Sequence, residues 1–178
     1  QLIHQSGRHL MSVVNDILDL TRMETGQLTV TPVKVNIKNV CDRALQEAKA
    51  IHAQTTKAKE SELDKEYQFI FDIESGLEEI IADELRLRQM LVHLLSNAYK
   101  FTSSGGEIGL QINSWEGWIA FTVWDTGIGI ADSQQHLIFQ KFQQLENPMT
   151  RQHEGTGLGL VLTRALARLH GGDVSFLS

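Results

Sequence analysis

Two glycine-rich segments lie thirty residues apart in this 178-residue chain, Asp125-Thr-Gly-Ile-Gly-Ile130 and Gly155-Thr-Gly-Leu-Gly-Leu160. They constrain the fold more than any other feature. The first follows the apolar run Ile119-Ala-Phe-Thr-Val-Trp124, so it ends a strand, and its glycines let the backbone turn tightly. The second precedes a helical pattern, so its glycines stand where a helix start leaves N–H groups without acceptors. A strand end and a helix start, both cleared of side chains, demand a mixed α and β fold.

The pattern along the chain agrees. Ile3, Leu10 and Ile17 are seven apart, and Ser6, Val13 and Leu20 follow each by three. That is a coiled-coil seam, which Val14 widens. Gly26 stands where a helix C′ residue is expected. A lone helix of this length is marginal in water. It is therefore expected either to form half of a helical hairpin whose partner precedes Gln1 or to dock on its own domain. Residues 28–35 alternate and predict a strand, with Pro32 marking an edge or a bulge. Asn36 caps a helix to about Lys57, with Ile37, Val40, Ala44, Leu45, Ala48 and Ile51 inward. Residues 55–65 form a polar loop. Residues 67–73 and 80–82 are strands. Asp83 caps a helix to about Phe101, apolar along Leu87, Met90, Leu91, Leu94 and Leu95. A turn over 103–106 leads to strands 107–113 and 118–124, which flank a Glu116-Gly117 hairpin turn. Asp132 caps a short helix through Phe139. A polar loop over 143–154, a helix over 157–170 stopped by Gly171-Gly172, and a strand over 173–177 complete the chain. Strands followed by helices suggest a two-layer α/β sandwich, one mixed sheet with helices on one face.

Composition closes some routes. The net charge is −6 and the pI about 5.6, which argues against nucleic acid, whose phosphates need a basic face. The single cysteine, Cys41, allows no internal disulfide and reads as a buried helical position. No apolar run approaches the about 18–20 residues that cross a bilayer. A cytoplasmic location without membrane contact is the expectation.

Three constellations carry chemistry. Asp125 ends an apolar strand, so its carboxylate is expected in a low-dielectric mouth. There it can accept a hydrogen bond from the exocyclic amine of adenine. Guanine presents a carbonyl instead, so ATP is preferred over GTP. An ordinary strand-end turn remains the alternative. In the second segment, glycines before a helix suit a phosphate, since free amides and the helix dipole both favour an anion. That segment fits neither a dinucleotide-binding fingerprint nor a P-loop. The third constellation is the helix Leu91-Val-His-Leu-Leu-Ser-Asn-Ala-Tyr-Lys-Phe101, where His93, Asn97 and Lys100 share a face. An amide oxygen can ligate Mg²⁺, and an ammonium can neutralise phosphate charge. A solvated polar face is the plain alternative.

In this order the three elements resemble the N, G1 and G2 boxes of sensor histidine kinases, members of the GHKL ATPase superfamily. Phe139-Gln-Lys-Phe142 resembles the F box between them. Residues 1–26 resemble the second helix of the dimerisation and phosphotransfer domain. Residues 27–178 resemble the ATP-binding catalytic domain, with its last strand apparently missing after Ser178. The resemblance implies a Bergerat-type sandwich and a two-component protein histidine kinase that uses ATP and Mg²⁺. It implies that Asn97 binds Mg²⁺, with Lys100 and His93 beside it. Asp125 reads adenine, with Gly127, Gly129, Ile130, Phe142, Gly155, Thr156, Gly157, Leu158 and Gly159 around the nucleotide. Residues 143–156 would form an ATP lid. It further implies a homodimer through a helical bundle and a response-regulator receiver domain as partner.

Departures from the family pattern are plain. The family often has Asn where His93 stands. An Arg of the lid is replaced by Gln143 and Gln144, with Arg151 as a substitute. The phosphoacceptor motif, His followed by an acidic residue and then Arg-Thr-Pro, is absent, and His4 and His9 read as surface residues. The accepting histidine is expected outside these residues. Two other classes remain open. An ATP-hydrolysing GHKL relative would carry a glutamate base, yet no acidic residue lies between Met90 and Phe101. A non-catalytic nucleotide-binding or dimerisation module would not need Asn97, Asp125 and the glycines together.

Overall fold

Asn36 and Asp83 start the two central helices by taking a backbone N–H of the first turn. Asn36 Oδ1 accepts from the Asn39 amide at 2.9 Å, opening α2, Ile37–Thr56. Asp83 Oδ1 accepts from the Arg86 amide at 3.1 Å, opening α3, Glu84–Phe101. Each such cap stabilises its helix by about 1 kcal/mol. The computed structural model describes residues 2–56, 67–144 and 156–178. They divide into two compact units, Pro32–Gly129 and a second made of the residues up to Thr31 together with Ile130–Ser178.

The first unit holds α2, α3 and five strands. Strand β1, Val33–Asn36, pairs antiparallel with β3, Glu79–Ala82. Strand β2, Gln68–Ile73, runs parallel to β4, Glu107–Trp115, and β4 pairs antiparallel with β5, Trp118–Asp125. The expected single mixed sheet is thus a two-stranded and a three-stranded sheet. The four-residue strands β1 and β3 satisfy each other's ladder, and neither joins β2–β4–β5. The Glu116-Gly117 turn has φ values of 49° and 86°, the paired left-handed conformation a tight hairpin needs.

Alternation along β2, β4 and β5 sends Phe69, Phe71, Ile73, Ile108, Leu110, Ile112, Ile119, Phe121 and Val123 into one core with α2 and α3. The helices supply Ile37, Val40, Cys41, Ala44, Ala48, Leu87, Leu91, Leu95 and Ala98. Cys41 is buried as expected, and burial pushes its thiol pKa up to about 12. Ile51, expected inward, is exposed, because it lies in the last turns of α2, beyond the run of fully buried residues that ends at Ala48. On the opposite sheet face Gly109 pairs with Trp124, and a Cβ at Gly109 would lie 2.1 Å from the indole.

The second unit carries α1, Leu2–Glu24, and α4, Gly159–Leu169. Gly26 adopts φ 67° just past α1, and the Leu28 amide returns to the Arg22 carbonyl at 3.0 Å, a left-handed C-terminal cap. Leu28 is buried here rather than part of a strand, and β1 begins only at Val33. Pro32 has no N–H for a ladder, which sets that start. In the seam, Leu20 is buried, whereas Leu10, Val14 and Ile17 are exposed. The side chains of Ile3, Ser6, His4 and His9 lie outside the described ones.

Two further expectations fail. Asp132 does not start an α-helix; only a 3₁₀ turn forms, Gln135–Leu137. The Asp132 carboxylate accepts from the Gln135 side chain at 3.1 Å instead of capping a first turn. Residues 173–177 form no strand. A strand needs a ladder partner, and here the Val174 amide donates to its neighbour's Asp173 carboxylate at 2.8 Å.

Candidate functional site

The end of α3, the turn after it and the end of β5 are stitched together within the first unit. Thr102 terminates α3 in an extended conformation, and its hydroxyl donates to the Ala98 carbonyl at 2.7 Å. Gly106 leaves no space beside it, since a Cβ there would lie 2.4 Å from Thr102 Cγ2. The next residue, Glu107, exchanges two bonds with Thr126. Its amide donates to Thr126 Oγ1 at 2.9 Å, and its carbonyl accepts the Thr126 amide at 3.0 Å. This extends the β4–β5 ladder one step past the Ile108–Asp125 pair.

Asp125 therefore sits at a fixed register. Its Oδ1 accepts the Gly127 amide at 2.8 Å, which orients the carboxylate while Oδ2 makes no part of that bond. The side chain is exposed, not lodged in a low-dielectric mouth. Among the described strands, β5 lies at the edge of its sheet. Gly127 is obligatory on steric grounds. A Cβ there would lie 2.4 Å from the Phe101 carbonyl oxygen and 2.7 Å from Asp125 Oδ1. The Ile128 amide donates to that same carbonyl at 3.4 Å. Gly129 serves differently, with φ 65°, where a Cβ is strained.

The polar face of α3 ends at this junction. His93, Asn97 and Lys100 are all half-buried and fall within roughly 60° of arc at 3.6 residues per turn. Val92, Leu95, Ala98 and Tyr99 are buried. Burial lowers the Lys100 pKa, and its Nζ lies 4.9 Å from the Phe101 ring centroid, a cation–π contact. The donor set of this face, one amide oxygen and one ammonium, fits a hard divalent cation and phosphate charge.

The second unit carries the other expected residues. Gly157 has φ 67°, and a Cβ there would lie 2.7 Å from the Gln143 carbonyl. So the second glycine segment presses on the backbone just after the Phe139–Phe142 motif. Phe142 itself is exposed, with φ 61°, an outlier for an aromatic residue that stores about 1–3 kcal/mol. Leu158 is fully buried, and its amide donates to Thr156 Oγ1 at 3.2 Å. The first turn of α4, from Gly159, then presents amides with no helical acceptor. Ile130 donates its amide to Ser178 Oγ at 2.6 Å. Gly155 and Arg151 lie outside the described residues, as does most of the expected lid.

Sequence reasoning missed several contributors. Thr126 and the Phe101 carbonyl define the junction, but their roles depend on pairs far apart in sequence. Lys141 forms an ion pair with Glu24. Arg164 stacks on Phe139 at 4.7 Å and bonds the Asp173 carboxylate at 2.9 Å. With the Val174 amide and Arg168, it holds that carboxyl well below the usual range. Among the described residues, no helix is long and apolar enough to cross a membrane.

Comparison with known proteins places this geometry. Residues 82–178 match the family described as histidine kinase-, DNA gyrase B- and HSP90-like ATPase. The circadian input-output histidine kinase CikA of Synechococcus elongatus is 39% identical over 99% of this chain and 22% of its own length. The signal transduction histidine-protein kinase BarA of Escherichia coli K12 is 33% identical over 99% of this chain and 19% of its own. The chain thus spans about a fifth of these curated relatives. A crystal structure of full-length ShkA in complex with AMPPNP matches 93% of this chain and 32% of its own, at 31% identity and TM-score 0.72. The histidine kinase ThkA, solved in complex with the response regulator protein TrrA, shares the fold at 19% identity, with TM-score 0.63, over 96% of this chain and 43% of its own.

Proposed function

The chain belongs to the histidine kinase-, DNA gyrase B- and HSP90-like ATPase family, and on that premise we propose that it is the ATP-binding catalytic region of a two-component sensor histidine kinase. ATP supplies a phosphoryl group: an imidazole nitrogen forms the new P–N bond as the P–O bond to ADP breaks. The accepting histidine comes from another segment or chain. Within the proposal, Asp125 accepts the adenine amine, held in orientation by the Gly127 amide. Asn97 ligates Mg²⁺, Lys100 balances phosphate charge, and His93 stands beside them. Thr156, Gly157, Leu158 and Gly159, with Gly155, take the phosphate oxygens, and Ile130 and Phe142 line the nucleotide. Catalysis is then positioning and charge neutralisation. Residues 1–26 are the second helix of a dimerising bundle, residues 27–178 the catalytic domain, and a receiver domain is the downstream partner. The cytoplasm is the compartment.

The observation that carries this reading is the junction of α3 and β5. The helix bearing Asn97 and the strand bearing Asp125 meet through the Phe101 carbonyl, which leaves no room for a side chain at Gly127. The bare backbone at Gly127 lets the turn after β5 close on the end of α3, which supports a site drawing on both Asp125 and Asn97. The absence of any acidic residue on α3 between Met90 and Phe101 disfavours a hydrolase, which needs a base for water.

The test supplies [γ-³²P]ATP and Mg²⁺ together with a helical segment bearing a histidine acceptor. Acid-labile, base-stable label on the acceptor is the expected result, lost in Asp125→Ala. Steady ATP turnover without label on the acceptor would overturn the kinase reading in favour of hydrolysis.

A further inference from the structure

The hairpin of β4 and β5 carries two indoles that the proposed ATP site does not use. Trp115 and Trp118 are direct partners across the hairpin, so both side chains stand on the same face of the sheet. They are 65% and 54% exposed. At roughly 250 Å² for a whole side chain, they leave about 300 Å² of aromatic surface in solvent. A patch of that size is often functional. Trp124, on the same face, behaves otherwise. It pairs with Gly109 and lies against that backbone, where a Cβ would come within 2.1 Å of the indole. The tip is also held in place. Glu116 and Gly117 close it with two left-handed residues. Glu74, just past β2, accepts the Ser114 amide at 2.6 Å and the Ser114 hydroxyl at 2.8 Å. An aromatic pair on so rigid a support loses little freedom on meeting a partner.

We propose that this hairpin tip is a docking site for an arginine-rich segment of a protein partner, whose guanidinium groups stack on Trp115 and Trp118. Charge selects that partner. Residues 68–74 and 107–125 contain Asp72, Glu74, Glu107, Glu116 and Asp125, and no Lys, Arg or His. Glu116 stands between the two indoles in the chain. Asp72 is placed on their face by the side-chain amide of Gln111, which donates to it at 3.3 Å. Gln111 lies four residues before Trp115, roughly 13 Å along β4. A cation over an indole is drawn to the ring's negative face, and a planar guanidinium also stacks there, as an ammonium cannot. The carboxylates steer such a segment in, whereas the same charges repel nucleic acid or an acidic lipid surface. The tip is roughly 23 Å of strand away from Asp125, at the other end of β5, so a segment docked there leaves the proposed nucleotide residues uncovered.

The experiment uses the whole chain, ¹⁵N-labelled at tryptophan, and an acetylated, amidated peptide of four Arg-Gly repeats. A second peptide carries citrulline in place of arginine, which keeps the shape and removes the charge. The indole N–H cross-peaks are assigned with Trp115→Phe, Trp118→Phe and Trp124→Phe. Those of Trp115 and Trp118 should move with the arginine peptide and stay with the citrulline peptide, while that of Trp124 stays with both. Trp115→Ala and Trp118→Ala should each weaken binding of the arginine peptide roughly two- to five-fold. Glu116→Asn should weaken it too, and the turn favours that residue. No movement with the arginine peptide overturns the proposal, as does an equal response to the citrulline peptide. Full affinity retained in both alanine variants also overturns it, since binding is then diffuse attraction to the acidic sheet. Cross-peaks that move with protein concentration alone overturn it and give the face to a second copy of this chain. If one alanine variant does not fold, the other and Glu116→Asn still decide.

Discussion

Gly127→Ala tests the α3–β5 junction directly. The added Cβ would lie 2.4 Å from the Phe101 carbonyl oxygen, 2.9 Å from its carbon and 2.7 Å from Asp125 Oδ1. A carbon–oxygen contact normally closes no nearer than about 3.3 Å, so the carbonyl must retreat by roughly 0.9 Å. The nearer obstacle is backbone, and the other is the carboxylate that the Gly127 amide holds. Forced backbone shifts of this kind cost about 1–3 kcal/mol, and a chain of this size loses about 2–4 °C of melting temperature per kcal/mol. The same shift displaces Asp125, the proposed acceptor of the adenine amine. Losing one hydrogen bond to a charged group, about 1.5–3 kcal/mol, weakens nucleotide binding roughly 10–150-fold. Differential scanning fluorimetry with and without ATP·Mg²⁺ measures both effects on one sample. The reasoning is refuted if Gly127→Ala melts with the wild type and keeps its full nucleotide-dependent stabilisation. A variant that melts lower yet binds ATP normally would separate the two consequences and detach Asp125 from adenine.

Other perturbations follow from burial and charge. Asp16 is buried in α1, and desolvation, with the Asp19 charge second, raises its pKa from 3.8 to about 6. The folded state therefore binds more protons than the unfolded one between those values. Stability should fall by on the order of 2–3 kcal/mol as pH rises through that window, and Asp16→Asn should flatten the fall in denaturant titrations at pH 4.5 and 7.5. Gly7 lies exposed within α1 with no heavy atom within 4 Å of an added Cβ, so Gly7→Ala should stabilise by about 0.5–1 kcal/mol, seen as a higher urea midpoint. Cys41→Ser places a hydroxyl in the core, and should cost about 1–3 kcal/mol while leaving nucleotide affinity unchanged by calorimetry. Asn97→Ala should show the reverse, near-native stability with loss of metal-dependent nucleotide binding.

The parts of this fold that were legible in the sequence are those decided within a few residues. Asn36 and Asp83 reach an amide three residues away, and the Glu116-Gly117 turn closes on its own strands, so local chemistry suffices. The misreadings share a different cause. Whether 173–177 is a strand, or whether β1 and β3 join β2–β4–β5, depends on which distant segment supplies the ladder, and no local pattern encodes that choice. Asp132 shows how close the contest runs, because its carboxylate meets the Gln135 side chain rather than a first-turn amide, and an α-helix is lost to a 3₁₀ turn. The candidate site divides in the same way. Asp125, Asn97 and the glycines were visible because their residue types are chemically specific. Thr126 was not, since a threonine at a strand end is ordinary until Glu107, nineteen positions earlier, donates to it. The glycines carry a further lesson. Gly129 and Gly157 are fixed by positive φ, whereas Gly127 is fixed by the Phe101 carbonyl and the Asp125 carboxylate beside it. A turn motif can therefore contain one glycine required by its own backbone and another required by a helix end elsewhere. Only the second kind reports that the end of α3 packs against the end of β5, so substitution at Gly127 is the sharper probe of the proposed site.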